Sequence, residues 1–136
     1  ESDLWGCPSF TELAREGNAI ARWNLLNPTA PQRESHVEKL LKNARGPVIA
    51  STDYVRTFAE QIRAFVPRRY VVLGTDGFGR SDTREKLRHF FEVDRYWVTV
   101  ASLKALADEG VLPREKVAEA LKKYNLDPNK PNPMTV

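Results

Sequence analysis

Two short apolar runs, "PVIAS" at 47–51 and "RYVVLG" at 69–74, bracket a segment whose apolar residues step by three and four. In "TDYVRTFAEQIRAFVP", residues 52–67, Val55, Phe58, Ile62 and Phe65 fall on one helical face, and Pro67 ends the pattern. Strand, amphipathic helix and strand in that order describe a parallel pair with a crossover, because parallel neighbours cannot be joined by a tight turn. The second run is continuously apolar, as in a sheet covered on both faces. This feature alone places the chain in the α/β class.

The flanking segments extend the alternation. "DLWGCPSFTELAREG" reads as a short strand followed by a helix, with Ser9 and Glu12 at capping-box spacing and Gly17 as the stop. Asn18 then caps a second helix, "NAIARWNLL", which ends before Pro28. "NPTAPQRE" is a proline-rich connection, and "SHVEKLLKNARG" a short polar helix closed by Gly46. After the second apolar strand, Asp82 and Glu85 repeat the capping-box spacing and open a helix in "TREKLRHFF". "YWVTVA" would suit a strand, but Asp94 as cap, Trp97, Val100, Ala101 and Lys104 at helical spacing, and Gly110 as stop favour a helix. Pro113 starts a last helix with Val117, Leu121 and Tyr124 as its apolar stripe. Three strand–helix units followed by helices predict a three-layer α/β sandwich with a mostly parallel sheet. Three strands make a thin sheet, so a unit is expected to be missing at the N-terminus. The domain is expected over 1–126, and the tail 127–136, with three prolines, is expected to be extended.

Composition excludes several classes of function. A length of 136 residues fits one core. A net charge of +3, with 21 basic and 18 acidic side chains interspersed, does not suggest nucleic acid. No apolar run approaches the roughly 20 residues of a membrane span, and "ESDLWG" is no secretory signal. The single cysteine, Cys7, fits a reducing, cytoplasmic compartment and reads as a small residue at a strand end. With only His36 and His89 beside it, neither a zinc site nor a cysteine nucleophile is expected. A chain that starts at Glu1 reads as a processed or trimmed piece.

The stretch "VVLGTDGFGRSD", 71–82, is the one candidate site. Its glycines run Gly74-x-x-Gly77-x-Gly79, the reverse of the dinucleotide fingerprint, and Arg80-Ser81 is not the lysine–hydroxyl pair of a P-loop. A helix start and Arg80 could hold an anion, while Asp76 and Asp82 would repel one. A structural turn and a ligand loop therefore both stay open. The loop lies at the carboxyl end of a parallel strand, where open α/β sheets face ligands or partners. Phe78 between two glycines suggests an interface contact. The residues that could serve as an interface or anion contact are Thr75, Asp76, Gly77, Phe78, Gly79, Arg80 and Ser81. Asp108 with Glu109, and Glu34 with Glu38, read as solvated helix faces, and no catalytic or metal-ligating constellation stands out.

Three stretches, "SFTELAREG", "YVVLGTDGFGRSDTREKLRHFFEVDRY" and "ALADEGVLPREKVAEALKKYNLDPNKPNP", resemble the C-terminal end of the homodimeric bacterial pyruvate dehydrogenase components. These are the thiamine-dependent decarboxylating enzymes of the pyruvate dehydrogenase complex, and the similarity runs from about Asp3 to Pro133. The resemblance implies a transketolase C-terminal-like fold lacking its first strand–helix unit. It also implies a parent protein that decarboxylates pyruvate and passes the acetyl group to lipoyl groups of the dihydrolipoamide acetyltransferase. Cys7 in "WGCPSF" stands where many relatives have serine or threonine. In that family thiamine diphosphate and magnesium bind between the first two domains of opposing subunits. The "GDG…NN" signature that holds them is absent here, and Asp76-Gly77 is a fortuitous echo of it. No catalytic role transfers to this chain, whose expected part is subunit architecture and assembly of the homodimer. The alternatives are a free-standing anion- or nucleotide-binding module using the glycine loop, and an interaction domain for another subunit of the complex.

Overall fold

The computed structural model describes residues 2–136. Strand β1, Val48–Ser51, pairs in parallel with β2, Tyr70–Leu73, in the register Val48↔Tyr70 to Ser51↔Leu73. Helices precede the pair, connect it and follow it. They are α1 (Phe10–Leu26), α2 (His36–Leu41), α3 (Arg56–Glu60), α4 (Arg84–Phe90), α5 (Arg95–Asp108) and α6 (Arg114–Lys123).

Side chains alternate across a strand, so Val48, Ala50, Tyr70 and Val72 share one face. There they meet Ala14, Val37, Ala59, Ile62, Phe65 and Val66 in the main core, with Phe10, Leu13 and Leu41 at its margin. Helix α5 touches both strands. It packs on α6 in a second cluster of Val100, Ala120 and Leu126, bordered by Tyr96, Trp97, Leu103 and Tyr124. The α/β class and the parallel pairing are as the sequence predicts, with two strands in place of three.

The missing strand is the N-terminal one. Residues 2–8 form no strand, and Leu4 and Trp5 are 98% and 59% exposed. A strand needs a partner edge for its amides, and among the described residues no backbone–backbone hydrogen bond reaches 2–8. Cys7 is accordingly an exposed coil residue and not the end of a strand.

Helix α1 is also longer than its glycine suggests. Ser9 caps it by accepting the Glu12 N–H at 3.1 Å, but the helix runs through Gly17 to Leu26. Gly17 is there for space: a Cβ would lie 2.5 Å from the Phe65 ring. Asn18 is thus a mid-helix residue and caps nothing.

Helix α2 opens on a full capping box that the sequence reading passed over. Glu38 N–H donates to Ser35 Oγ at 3.2 Å, and Ser35 N–H donates back to the Glu38 carboxylate at 2.7 Å. The helix stops at Leu41, and Gly46, with φ of 78°, serves the loop before β1.

The crossover helix is shorter than its periodicity implies. After Glu60 the chain tightens into a 3₁₀ turn, Arg63–Phe65, that buries Ile62 and Phe65. Val55 and Phe58 are left 40% and 45% exposed. The four residues therefore do not form one buried stripe.

The capping of α4 also differs. Thr83, not Asp82, is the cap, its hydroxyl accepting the Lys86 N–H, while Asp82 accepts the Thr83 N–H at 2.7 Å. Three helices end alike. Beyond α4, α5 and α6, the residues Glu92, Gly110 and Asn125 take positive φ. The next amide then reaches back to Arg88, Leu106 and Leu121 respectively, the Schellman geometry. Asp94 caps α5 as predicted, accepting from the amides of Tyr96 and Trp97. Pro113 sits at the cap of α6, one residue outside the helix.

Candidate functional site

The glycine loop leaves β2 under tight steric control. A Cβ on Gly74 would lie 2.7 Å from the Arg56 backbone nitrogen. Thr75 N–H donates to the Tyr54 carbonyl, and its hydroxyl to the Asp53 carbonyl, both at 2.9 Å. Asp76 accepts the Arg56 N–H at 3.3 Å, and its other oxygen lies 3.0 Å from Arg56 Nε. That approach lies off the hydrogen-bond direction, so charge and not a directed bond holds the pair. Gly77 takes φ of 109°, a conformation open chiefly to glycine. Phe78 projects with 79% of its surface exposed, and a Cβ on Gly79 would meet no atom of the described residues within 4 Å. The Arg80 guanidinium stacks 4.2 Å from the Phe90 ring centre. Ser81 and Arg80 border a small pocket of about 300 Å³ with Asp82, Lys86, Leu87 and Phe90.

Beside the loop, the carboxyl end of β1 opens into a larger groove of about 1180 Å³ between Ser51–Asp53, α4 and the start of α5. The sequence reading missed it, although the strand-end rule that singled out β2 applies equally to β1. Its charges are largely spent on each other. Arg88 Nε binds Asp53 at 3.0 Å and holds that carboxyl below the usual carboxylate range, while Arg84 stands 4.0 Å away. His89 Nδ1 meets Asp94 Oδ2 at 2.8 Å, a histidine–carboxylate dyad in form. The nearby Ser51 hydroxyl donates instead to the Val93 carbonyl at 3.0 Å. Lys86 lies 3.7 Å from Asp82, and Lys130 lies 2.9 Å from Glu92.

Among the described residues, no three His, Cys, Asp or Glu side chains gather where they could hold a metal ion. Three carboxylates at the loop and the groove are committed to neighbouring groups. Asp76 is engaged by Arg56, Asp53 by Arg88, and Asp94 by its helix amides and His89. Desolvation pushes the Cys7 thiol upward against a weaker lowering from the Ser9 backbone, the direction opposite to an activated thiolate. The arrangement suits rigid presentation of a loop beside a groove whose charges are largely paired.

Comparison with known proteins gives the family. The model of the transketolase-like C-terminal domain matches residues 1–94. The chain belongs to that family. This transketolase-like domain is 84% identical over 136 residues to the pyruvate dehydrogenase E1 component of Cupriavidus necator. It is 58% identical over 134 residues to that of Pseudomonas aeruginosa, and 50% over 133 residues to that of Escherichia coli. These matches cover 100%, 98% and 97% of the chain but only 15% of each relative, in its C-terminal part. Among the described residues no helix is long and apolar enough to cross a membrane.

Proposed function

We propose that the chain is the C-terminal domain of a thiamine diphosphate-dependent pyruvate dehydrogenase component and serves its architecture and dimer assembly, not its chemistry. The observation that carries this reading is 84% identity over all 136 residues of the chain to a pyruvate dehydrogenase E1 component. The parent enzyme oxidatively decarboxylates pyruvate in the cytoplasm and hands the acetyl group to lipoyl groups of the acetyltransferase component. Thiamine diphosphate and magnesium belong to its other domains. The mutual pairing of Asp53, Arg88, Asp76 and Arg56 supports a structural part for this domain, because groups locked in ion pairs are poorly placed to exchange protons with a substrate.

The test compares three proteins: the intact polypeptide, the same polypeptide lacking this stretch, and the stretch alone. Loss of the domain is expected to convert the dimer to monomer in sedimentation and to abolish pyruvate turnover. The stretch alone, supplied with thiamine diphosphate and magnesium, is expected to release no carbon dioxide from pyruvate. Turnover by the stretch alone, or a fully active dimer without it, would refute the reading.

A further inference from the structure

Three contacts tie the tail, 127–136, to the glycine loop and the end of α4. A Cβ on Gly77 would lie 2.4 Å from the Pro133 carbonyl oxygen, so the tail backbone passes directly over the turn. Lys130 Nζ donates to the Phe90 carbonyl at 2.8 Å and to Glu92 Oε1 at 2.9 Å. Both partners of that ion pair are mostly covered, at 18% and 26% exposure, so water screens it less than a surface pair. The Phe90 ring then joins the two segments, with Arg80 of the loop 4.2 Å and Lys130 of the tail 5.1 Å from its centre.

The tail is built to hold this shape. Leu126 roots it in the second core, and Pro133 is buried. Asn132 closes a turn by accepting from the amides of Met134 and Thr135 at 3.0 Å each. Pro128, Pro131 and Pro133 fix φ, so ordering the segment costs little entropy. The loop is the opposite case, since glycine loses more freedom on ordering than any other residue. Its first half is fastened by Thr75 and Asp76, but among the described residues Phe78 and Gly79 have no such anchor.

We propose that residues 127–136 are a strap that locks residues 77–81, so that the tail and not the strand sets the position of the exposed Phe78. This goes beyond the architectural role above and does not depend on the parent reaction.

Limited chymotryptic cleavage after the exposed Phe78, with hydrogen–deuterium exchange over the tail, tests it on the intact polypeptide. Lys130→Met keeps the stem and removes both donated bonds. It is expected to speed cleavage after Phe78 by about tenfold, with amide exchange in β2 and α1 unchanged. Gly77→Ala supplies the reciprocal test, because coupling between two segments acts in both directions: exchange at the bonded amides of Met134 and Thr135 is expected to rise. Unchanged cleavage after Phe78 in Lys130→Met, a silent tail in Gly77→Ala, or an equal rise of exchange in β2 and α1 would overturn the strap.

Discussion

Phe65 occupies the space that a side chain at position 17 would need. Glycine inside an exposed helix costs about 0.5–1 kcal/mol against alanine, yet Gly17→Ala should destabilise this protein. The new methyl would sit 2.5 Å from a buried ring, and overpacking of that kind costs about 1–3 kcal/mol. A lower midpoint in urea at unchanged slope is the expected reading, and a stabilised variant would show that the ring moves aside freely. Tyr70 gives a prediction in pH. Its hydroxyl donates to the Ala59 carbonyl at 2.8 Å, and burial, aided by Glu60, holds the phenol protonated far above its ordinary range. The unfolded chain therefore releases this proton first. The contribution of Tyr70 to stability is complete below about pH 10 and falls as pH rises beyond it. Tyr70→Phe should remove that alkaline limb from a plot of unfolding free energy against pH, and should cost about 1 kcal/mol at neutral pH.

At the level of elements, the capping box of α2 carries more than its six residues suggest. Ser35 is fully buried, and the adjacent His36 N–H reaches the Glu16 carboxylate at 3.0 Å, fastening α2 to α1. Ser35→Ala should cost about 1 kcal/mol in thermal unfolding and speed amide exchange at Glu38. An unaffected Glu38 amide would show that another group caps the helix. The same scale shows what the sequence makes legible. β1, β2, α5 and α6 follow from runs, caps and periodicity, and Asp94 outweighs the strand-like "YWVTVA" because its carboxylate satisfies two helix amides. What escapes is set by partners distant in the chain. Gly17 looks like a stop until Phe65 is seen beside it, and Val55 and Phe58 look buried until the crossover tightens after Glu60. The glycine loop was legible as a tight turn at a strand end, but its hold on Arg56 and its contact with Pro133 were not, since neither partner is near it in sequence. The groove at β1 was missed because its lining comes from several elements.

For the whole molecule, the two-stranded sheet leaves one unpaired edge on each strand, and Leu4, Trp5, Tyr54 and Phe58 add exposed apolar surface. Such edges template pairing with another chain. Sedimentation of the isolated chain should therefore show a mass that rises with concentration, reduced when Leu4 and Trp5 are both replaced by serine. A constant monomer mass would mean that these surfaces are too small to drive association. Finally, the tryptophans are divided among different surroundings. Trp5 is mostly exposed, Trp23 lies beneath the Arg33 guanidinium at 3.6 Å, and Trp97 borders the second core with its indole nitrogen buried and without a hydrogen-bond partner among the described residues. Fluorescence from single-tryptophan variants can thus follow the helix that flanks the sheet and the α5–α6 pair separately. Light emission alone can then tell whether the two cores melt as one cooperative unit or in sequence.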